Sequence, residues 1–195
     1  MPIEKRWVVK PQGDPATVAM LATALRISPV LANLLVQRGI DTVEKADKFF
    51  RPNLADLHDP FLMKDMDRAV ERVERAVANH EKIMVYGDYD VDGCTAVALV
   101  YKFLRQIGHK NLMFYIPDRY TEGYGISIKG IDLAARKGVG LIIALDCGIK
   151  ATEKVVYAKS KGVDFIICDH HLPAEEIPQA VAVLDPKRVD CSYPF

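Results

Sequence analysis

The sequence predicts an α/β protein: a mostly parallel sheet with flanking helices over residues 81–195, preceded by a helical region over 1–80. Three observations lead there. From Ile83 onward, short apolar runs alternate with stretches of helical spacing, the rhythm of parallel strands covered on both faces. Gly108, Gly138 and Gly162 close the helical stretches, where glycine takes the left-handed conformation that ends a helix. Three of the apolar runs end in an aspartate, and an open parallel sheet presents its ligand groups at the carboxyl ends of its strands.

Before the sheet, Ser28 followed by Pro29 reads as an N-cap with proline at the first helical position, and Leu31, Leu34 and Leu35 follow at helical spacing up to Gly39. Asp41 and Glu44 make a capping-box-like start to a short helix through Phe50. Asp65 is expected to cap a longer helix whose Ala69, Val70, Val73, Ala76 and Val77 form one apolar stripe for the core. Strands are expected at 83–86, 112–116, 141–145, 164–168 and 181–184, with helices at 95–107, 127–137 and 152–161. There is no internal repeat and no low-complexity linker.

Composition narrows the class. At 195 residues, half of them hydrophobic, the chain can bury a core. No apolar run approaches the ~20 residues that span a bilayer, and the charged start from Met1 to Lys10 has no secretory apolar segment, so a cytoplasmic protein without a membrane partner is expected. Cys94, Cys147, Cys168 and Cys191 lack CxxC spacing and read as reduced thiols rather than disulfides or zinc ligands.

The richest stretch is Asp88-Tyr89-Asp90-Val91-Asp92-Gly93, directly after an apolar run. Three carboxylates this close repel unless a cation holds them, and their oxygens suit hard ions such as Mg²⁺ or Mn²⁺. The same spacing opens a calcium-binding EF-hand loop. That reading fails because the twelfth position is Leu99 instead of glutamate and the incoming element is a strand. A single Asp-rich turn is often just a turn or a helix cap. Here the layout repeats: residues 141–145 lead into Asp146-Cys147-Gly148, and 165–168 into Asp169-His170-His171.

Three strand-end acids with a histidine pair define a candidate centre for two divalent cations, Mn²⁺ or Mg²⁺, with Asp88, Asp90, Asp92, Asp146 and His170 as ligands. Two such ions about 4 Å apart lower the pKa of a shared water and offset charge on phosphoryl oxygens, which suits phosphodiester hydrolysis. Asp146, from the middle strand, is the expected bridging ligand. Asp169 is expected to orient a histidine without ligating, and His171 to meet the phosphate or leaving oxygen; on sequence grounds these two roles can be exchanged. In the loop 118–125, Arg119 offers a planar bidentate donor to phosphate and Tyr124 a ring near the nucleotide.

These motifs resemble those of the DHH phosphoesterase superfamily. Asp169-His170-His171 matches its naming motif, 88–93 its first, Asp118-Arg119 through Gly123-Tyr124-Gly125 its second, and Asp146-Cys147-Gly148 its third. Within the superfamily the likeness is to bacterial single-strand-specific 5′-to-3′ DNA exonucleases, and it extends through 34–40, 49–52 and 59–66, essentially the whole chain. The resemblance implies a metal-dependent exonuclease of recombination and repair acting on single-stranded DNA, with a helicase or single-strand-binding protein as partners of a longer parent.

The superfamily adds a further metal-binding aspartate and a glycine-rich substrate-binding domain downstream of these motifs. The DHH domain at 81–195 is therefore expected to be partial, and the chain to be an N-terminal fragment with weak or no activity alone. Two alternatives stay open: another DHH phosphodiesterase acting on short oligonucleotides or cyclic dinucleotides, and a non-catalytic DNA- or protein-binding module. The helical region before the sheet favours the exonuclease branch.

Lys and Arg equal Asp and Glu at 26 each, which by itself argues against nucleic acid. Asp88, Asp90, Asp92, Asp146 and Asp169, however, belong to the candidate centre, and bound cations would leave the remaining surface of the sheet domain net basic.

Overall fold

The computed structural model describes residues 6–194; residues 1–5 of the charged start, and Phe195, lie outside the described residues. Two compact units form, Met1–His58 and Asp59–Phe195.

The first unit is helical. Helix α1 spans Pro15–Leu25, α2 Pro29–Val36 and α3 Val43–Phe50, around a small core of Leu21, Ala32 and Leu35. Ser28 caps α2 as expected, its hydroxyl accepting the Leu31 N–H. At α3 the cap falls one residue later: Thr42 accepts the Lys45 N–H at 3.2 Å, while Asp41 pairs with the Lys45 ammonium at 2.6 Å. Helix α1, for which no separate expectation was formed, carries the same signal as α2, with Asp14 accepting the Thr17 N–H ahead of Pro15.

In the second unit a 3-10 turn at Pro60–Leu62 precedes α4, Met66–Ala78, followed by β1 Lys82–Gly87, α5 Val91–Gln106, β2 Leu112–Tyr115, α6 Ile128–Arg136, β3 Val139–Leu145, α7 Thr152–Ser160, β4 Asp164–Cys168 and β5 Ala182–Leu184. The five strands form one sheet in the order β2-β1-β3-β4-β5, every pair parallel. All five expected strands are present. Helices α6 and α7 bury Ile131, Ala134, Val155 and Ala158 against one face. Helices α4 and α5 bury Ala69, Ala76, Val97 and Leu104 against the other.

The expected division near residue 80 therefore moves to 58/59. Helix α4 belongs with the sheet, because its apolar stripe packs among Ile83, Val85, Leu141, Ile143 and Ile166. Buried Arg72 fastens it there, donating to Asp164 at 2.8 Å and to Glu81 at 2.7 Å. Asp65 stands at the N-cap of α4, its carbonyl accepting the Ala69 N–H at 2.9 Å, but its side chain makes no cap hydrogen bond. It has φ 66 and accepts from Arg188 at 2.8 Å, a partner 123 positions away that no local pattern reveals.

Register is what builds the site. Gly87 pairs with Leu145, Leu145 with Cys168, and Cys168 with Leu184. The next residue on each strand is Asp88, Asp146, Asp169 and Asp185, so four carboxyls come side by side at one sheet end. Helix α5 starts at Val91, four residues before the expected 95, because the Asp90 carboxylate accepts the Gly93 N–H at 3.0 Å and caps it. Gly93 is required there: a Cβ would stand 2.5 Å from the Asp88 carbonyl oxygen. All four cysteines are free, and among the described residues no single helix is long and apolar enough to cross a membrane.

Candidate metal centre

Asp146 leaves β3 with φ 61, a left-handed conformation that aspartate tolerates better than most side chains. Its N–H is held by the Cys168 carbonyl at 2.8 Å, which aims the mostly buried carboxyl across the sheet end. Oδ1 lies 2.9 Å from Nε2 of His170. Donor atoms of Asp146, His170 and His171 all lie within 4.8 Å of one another, close enough to share an ion. Burial, then the charge of Asp90, pushes the Asp146 carboxyl above the usual carboxylate range, and His170 only partly opposes this.

Asp169 is wired differently. Its Oδ1 accepts the His170 and His171 backbone N–H groups at 2.7 and 3.1 Å and lies 2.7 Å from His171 Nδ1, while Oδ2 accepts the Ile149 N–H at 2.9 Å. Burial alone would raise this carboxyl; the hydrogen bonds outweigh it and hold the pKa below the usual value. With Nδ1–H given to Asp169, His171 Nε2 is free to accept the Tyr124 hydroxyl proton at 3.1 Å. Tyr124 itself is pushed up to about 12 by burial and by Asp88, Asp169 and Asp146.

Asp88 is fully buried. Oδ1 accepts the Tyr89 N–H at 2.8 Å, and Oδ2 has no hydrogen-bond partner among the described residues. Burial raises its pKa; the Tyr89 and Gly125 backbone N–H groups and His171 oppose the rise without cancelling it, and Asp90 adds to it. A buried carboxylate oxygen without a partner is costly unless something cationic meets it. This orphaned atom, with the clustered oxygen and imidazole donors nearby, fits the residues to hard divalent cations.

The other expected residues spread around this cluster. Asp92 is exposed in the first turn of α5 and lines a groove with Asp146, Asp169 and His170. Asp90 acts on Asp88 and Asp146 through its charge while capping α5. Arg119 is not joined to the acids: its guanidinium lies over the Tyr89 ring, 5.2 Å from the centroid. Its loop is tied down. Asp118 accepts the Tyr120 and Thr121 N–H groups, Glu122 accepts from the Tyr115 and Ser127 hydroxyls, and the Tyr86 hydroxyl donates to the Gly125 carbonyl.

Sequence reasoning passed over Asp185. It is fully buried after β5, with Oδ1 on the Lys187 N–H at 2.7 Å and Oδ2 unpartnered; burial and Asp169 raise its pKa. The signal was available, since residues 181–184 lead into an aspartate just as the other strands do. Tyr89, to which the sequence assigned no role, is the contact of Arg119.

Fold and site together define an α/β protein with a carboxylate and imidazole centre at the carboxyl ends of adjacent parallel strands. The chain belongs to the DHH family: the model for the DHH family N-terminal domain matches residues 82–193. Among curated relatives, the single-stranded-DNA-specific exonuclease RecJ of Bacillus subtilis is 42% identical over 97% of this chain and 24% of its own length. The protein of the same name from Escherichia coli is 32% identical over 86% of this chain and 28% of its own. A crystal structure of RecJ in complex with Mn²⁺ from Thermus thermophilus superposes with a TM-score of 0.68 at 25% identity, covering 94% of this chain and 25% of that one. A second crystal structure, of exonuclease RecJ bound to manganese, gives 0.62 at 28% identity over 69% of this chain and 34% of that one. The chain thus spans about a quarter of the length of the curated relatives it matches.

Proposed function

We propose that this chain carries the cation-binding half of a metal-dependent phosphodiesterase acting on single-stranded DNA from its 5′ end. The supporting observation is the row of strand-end groups, in which Asp146, His170 and His171 come within 4.8 Å of one another and Asp88, at the end of the neighbouring strand, has an oxygen without a partner among the described residues. The names of the relatives, single-stranded-DNA-specific exonucleases, support the substrate, and the manganese-bound neighbours support the ion, Mn²⁺ or Mg²⁺.

In this reading Asp88, Asp90, Asp92, Asp146 and His170 would hold two divalent cations, with Asp146 the ligand expected to matter most. When bound, the cations supply Lewis acidity, lowering the pKa of water and offsetting charge on the phosphoryl oxygens. Asp169 fixes the His171 tautomer, so that Nε2 faces the centre as a hydrogen-bond acceptor. His171 Nε2 would release the Tyr124 hydroxyl, accept a proton from the reacting water and then return that proton to the leaving oxygen. Arg119 grips a phosphate through its fork of donors, and Tyr124 lies against the nucleotide. The domain at 81–195 is read as partial, and the chain as weakly active without the rest of a longer polypeptide. Its place is read as the cytoplasm, in recombination and repair, where a helicase or single-strand-binding protein would supply the strand.

The test pairs Mn²⁺ titration of the purified chain with digestion of end-labelled single-stranded DNA, duplex DNA and dinucleotides. The reading expects Mn²⁺ binding and slow cleavage of single strands, both lost in Asp146→Asn. A chain that binds no Mn²⁺, or that cleaves dinucleotides in preference to long strands, contradicts it.

A further inference from the structure

Arg119 carries the phosphate contact in the proposed function, yet it stands on an exposed loop and forms no ion pair among the described residues. A free arginine of this kind samples many rotamers and loses that freedom when it binds. One residue limits the sampling. Tyr89 follows the strand-end Asp88, whose Oδ1 accepts its N–H at 2.8 Å, so its backbone is anchored at the cation centre. The Arg119 guanidinium carbon lies 5.2 Å from the centroid of that ring, within the range of a cation–π contact. Tyr89 also meets Tyr124 edge to face with centroids 6.2 Å apart, and Tyr124 reaches His171 through its hydroxyl at 3.1 Å.

These contacts run as one chain, Arg119 to Tyr89 to Tyr124 to His171, and Tyr89 is the link that ties the arginine to the sheet end. We propose that Tyr89 is a positioning residue, holding the Arg119 guanidinium at the rim of the cation centre where an incoming substrate phosphate is gripped. The proposal rests on the phosphate reading of Arg119. Its physical content is specific: a π face is needed and a hydroxyl is not, so phenylalanine replaces Tyr89 whereas leucine, apolar but lacking the ring quadrupole, does not.

The experiment uses this chain with a 5′-phosphorylated single-stranded oligonucleotide and Ca²⁺, comparing Tyr89→Phe, Tyr89→Leu, Arg119→Ala and the Tyr89→Leu/Arg119→Ala pair. Thermal melting checks that each folds, and the ring-current shift of the Arg119 δ protons reports the stacking by NMR. Tyr89→Leu is expected to weaken binding about fivefold and abolish the ring-current shift. Tyr89→Phe keeps both, and the double variant binds no more weakly than Arg119→Ala. Wild-type affinity in Tyr89→Leu beside a weakened Arg119→Ala overturns the positioning role alone, as does a fully additive loss in the double variant. Wild-type affinity in Arg119→Ala overturns the phosphate reading and this role with it.

Discussion

Asp88 and Asp169 are the same residue in the same place on two strands of one sheet, and they behave in opposite ways. Each follows an apolar parallel strand and each is buried. Asp169 receives three backbone N–H groups and the His171 imidazole, which together pull its pKa down. Asp88 has one oxygen without a partner and a raised pKa. The protein therefore maintains the charge of Asp169 with its own donors, as suits a group that orients a histidine. Asp88 has fewer donors of its own, which is what the proposed role as a cation ligand requires.

In the proposed function the largest effect is expected at Asp146, the ligand read as common to both cations. Asp146→Asn should lower Mn²⁺ affinity by a hundredfold or so, at the upper end of the range even for groups that only support a metal ligand. Asparagine is the right replacement because it tolerates φ 61, which alanine would occupy under strain. Isothermal titration measures it. An affinity within a few fold of wild type would remove Asp146 from the centre.

Asp169→Asn sharpens the contrast on the other side. One amide nitrogen would face either the Ile149 N–H or the histidine N–H groups, donor against donor, so stability should fall by about 1–3 kcal/mol without added cation. Denaturant melts give the value. Loss of Mn²⁺ binding with unchanged stability would make Asp169 a ligand instead.

The pH dependence has opposite signs at the two acids. Asp88 and Asp146 hold protons more tightly when folded, so their share of cation-free stability is fully present below the ordinary carboxylate value of ~4. It is lost as pH rises through their raised values. The contribution of Asp169 is present above ~4 and lost as pH falls through its lowered value. Cation binding competes with the protons on Asp88 and Asp146, so Mn²⁺ affinity should climb through mildly acidic pH with proton release. Titrations in buffers of different ionisation heat read that release, and its absence in this range would contradict the raised values.

Tyr124→Phe is the mildest change. It removes the hydroxyl donated to half-exposed His171 and should cost about 0.5–1.5 kcal/mol. The imidazole should stay on Asp169, seen as an unchanged His171 tautomer by nitrogen NMR. A tautomer switch would show that Tyr124, and not Asp169, orients the ring.

Much of this was legible in the sequence because the relevant physics is local. Apolar runs, stop glycines and an aspartate after each run fix strand ends, and the parallel register then aligns the acids without further information. Long-range contacts were not legible. Asp65 looked like a cap and is bound by Arg188; the α4 stripe announced burial but not which surface would bury it. The Asp-rich stretch concealed a helix start, since Asp90, Val91 and Asp92 read equally well as loop until Gly93 is seen packed on Asp88. Asp185 follows the same pattern, but Pro186-Lys187 after it offers no further ligand type, so the sequence does not set it apart from an ordinary turn; its burial does. The different roles of Asp88 and Asp169 depend on counting donors around each oxygen, which only the folded chain allows.

The proposed ligand role of Asp88 is tested most directly by a pair of thermal melts of Asp88→Asn at pH 8, with and without Mn²⁺. Neutralising an orphaned charge near Asp90 should raise the cation-free melting temperature by about 2 to 4 °C, equivalent to roughly 1 kcal/mol in a chain of this size, and should abolish the further rise that Mn²⁺ gives the wild type. A variant that melts lower than wild type without cation, as Asp169→Asn is expected to, and still gains stability from Mn²⁺ would contradict it.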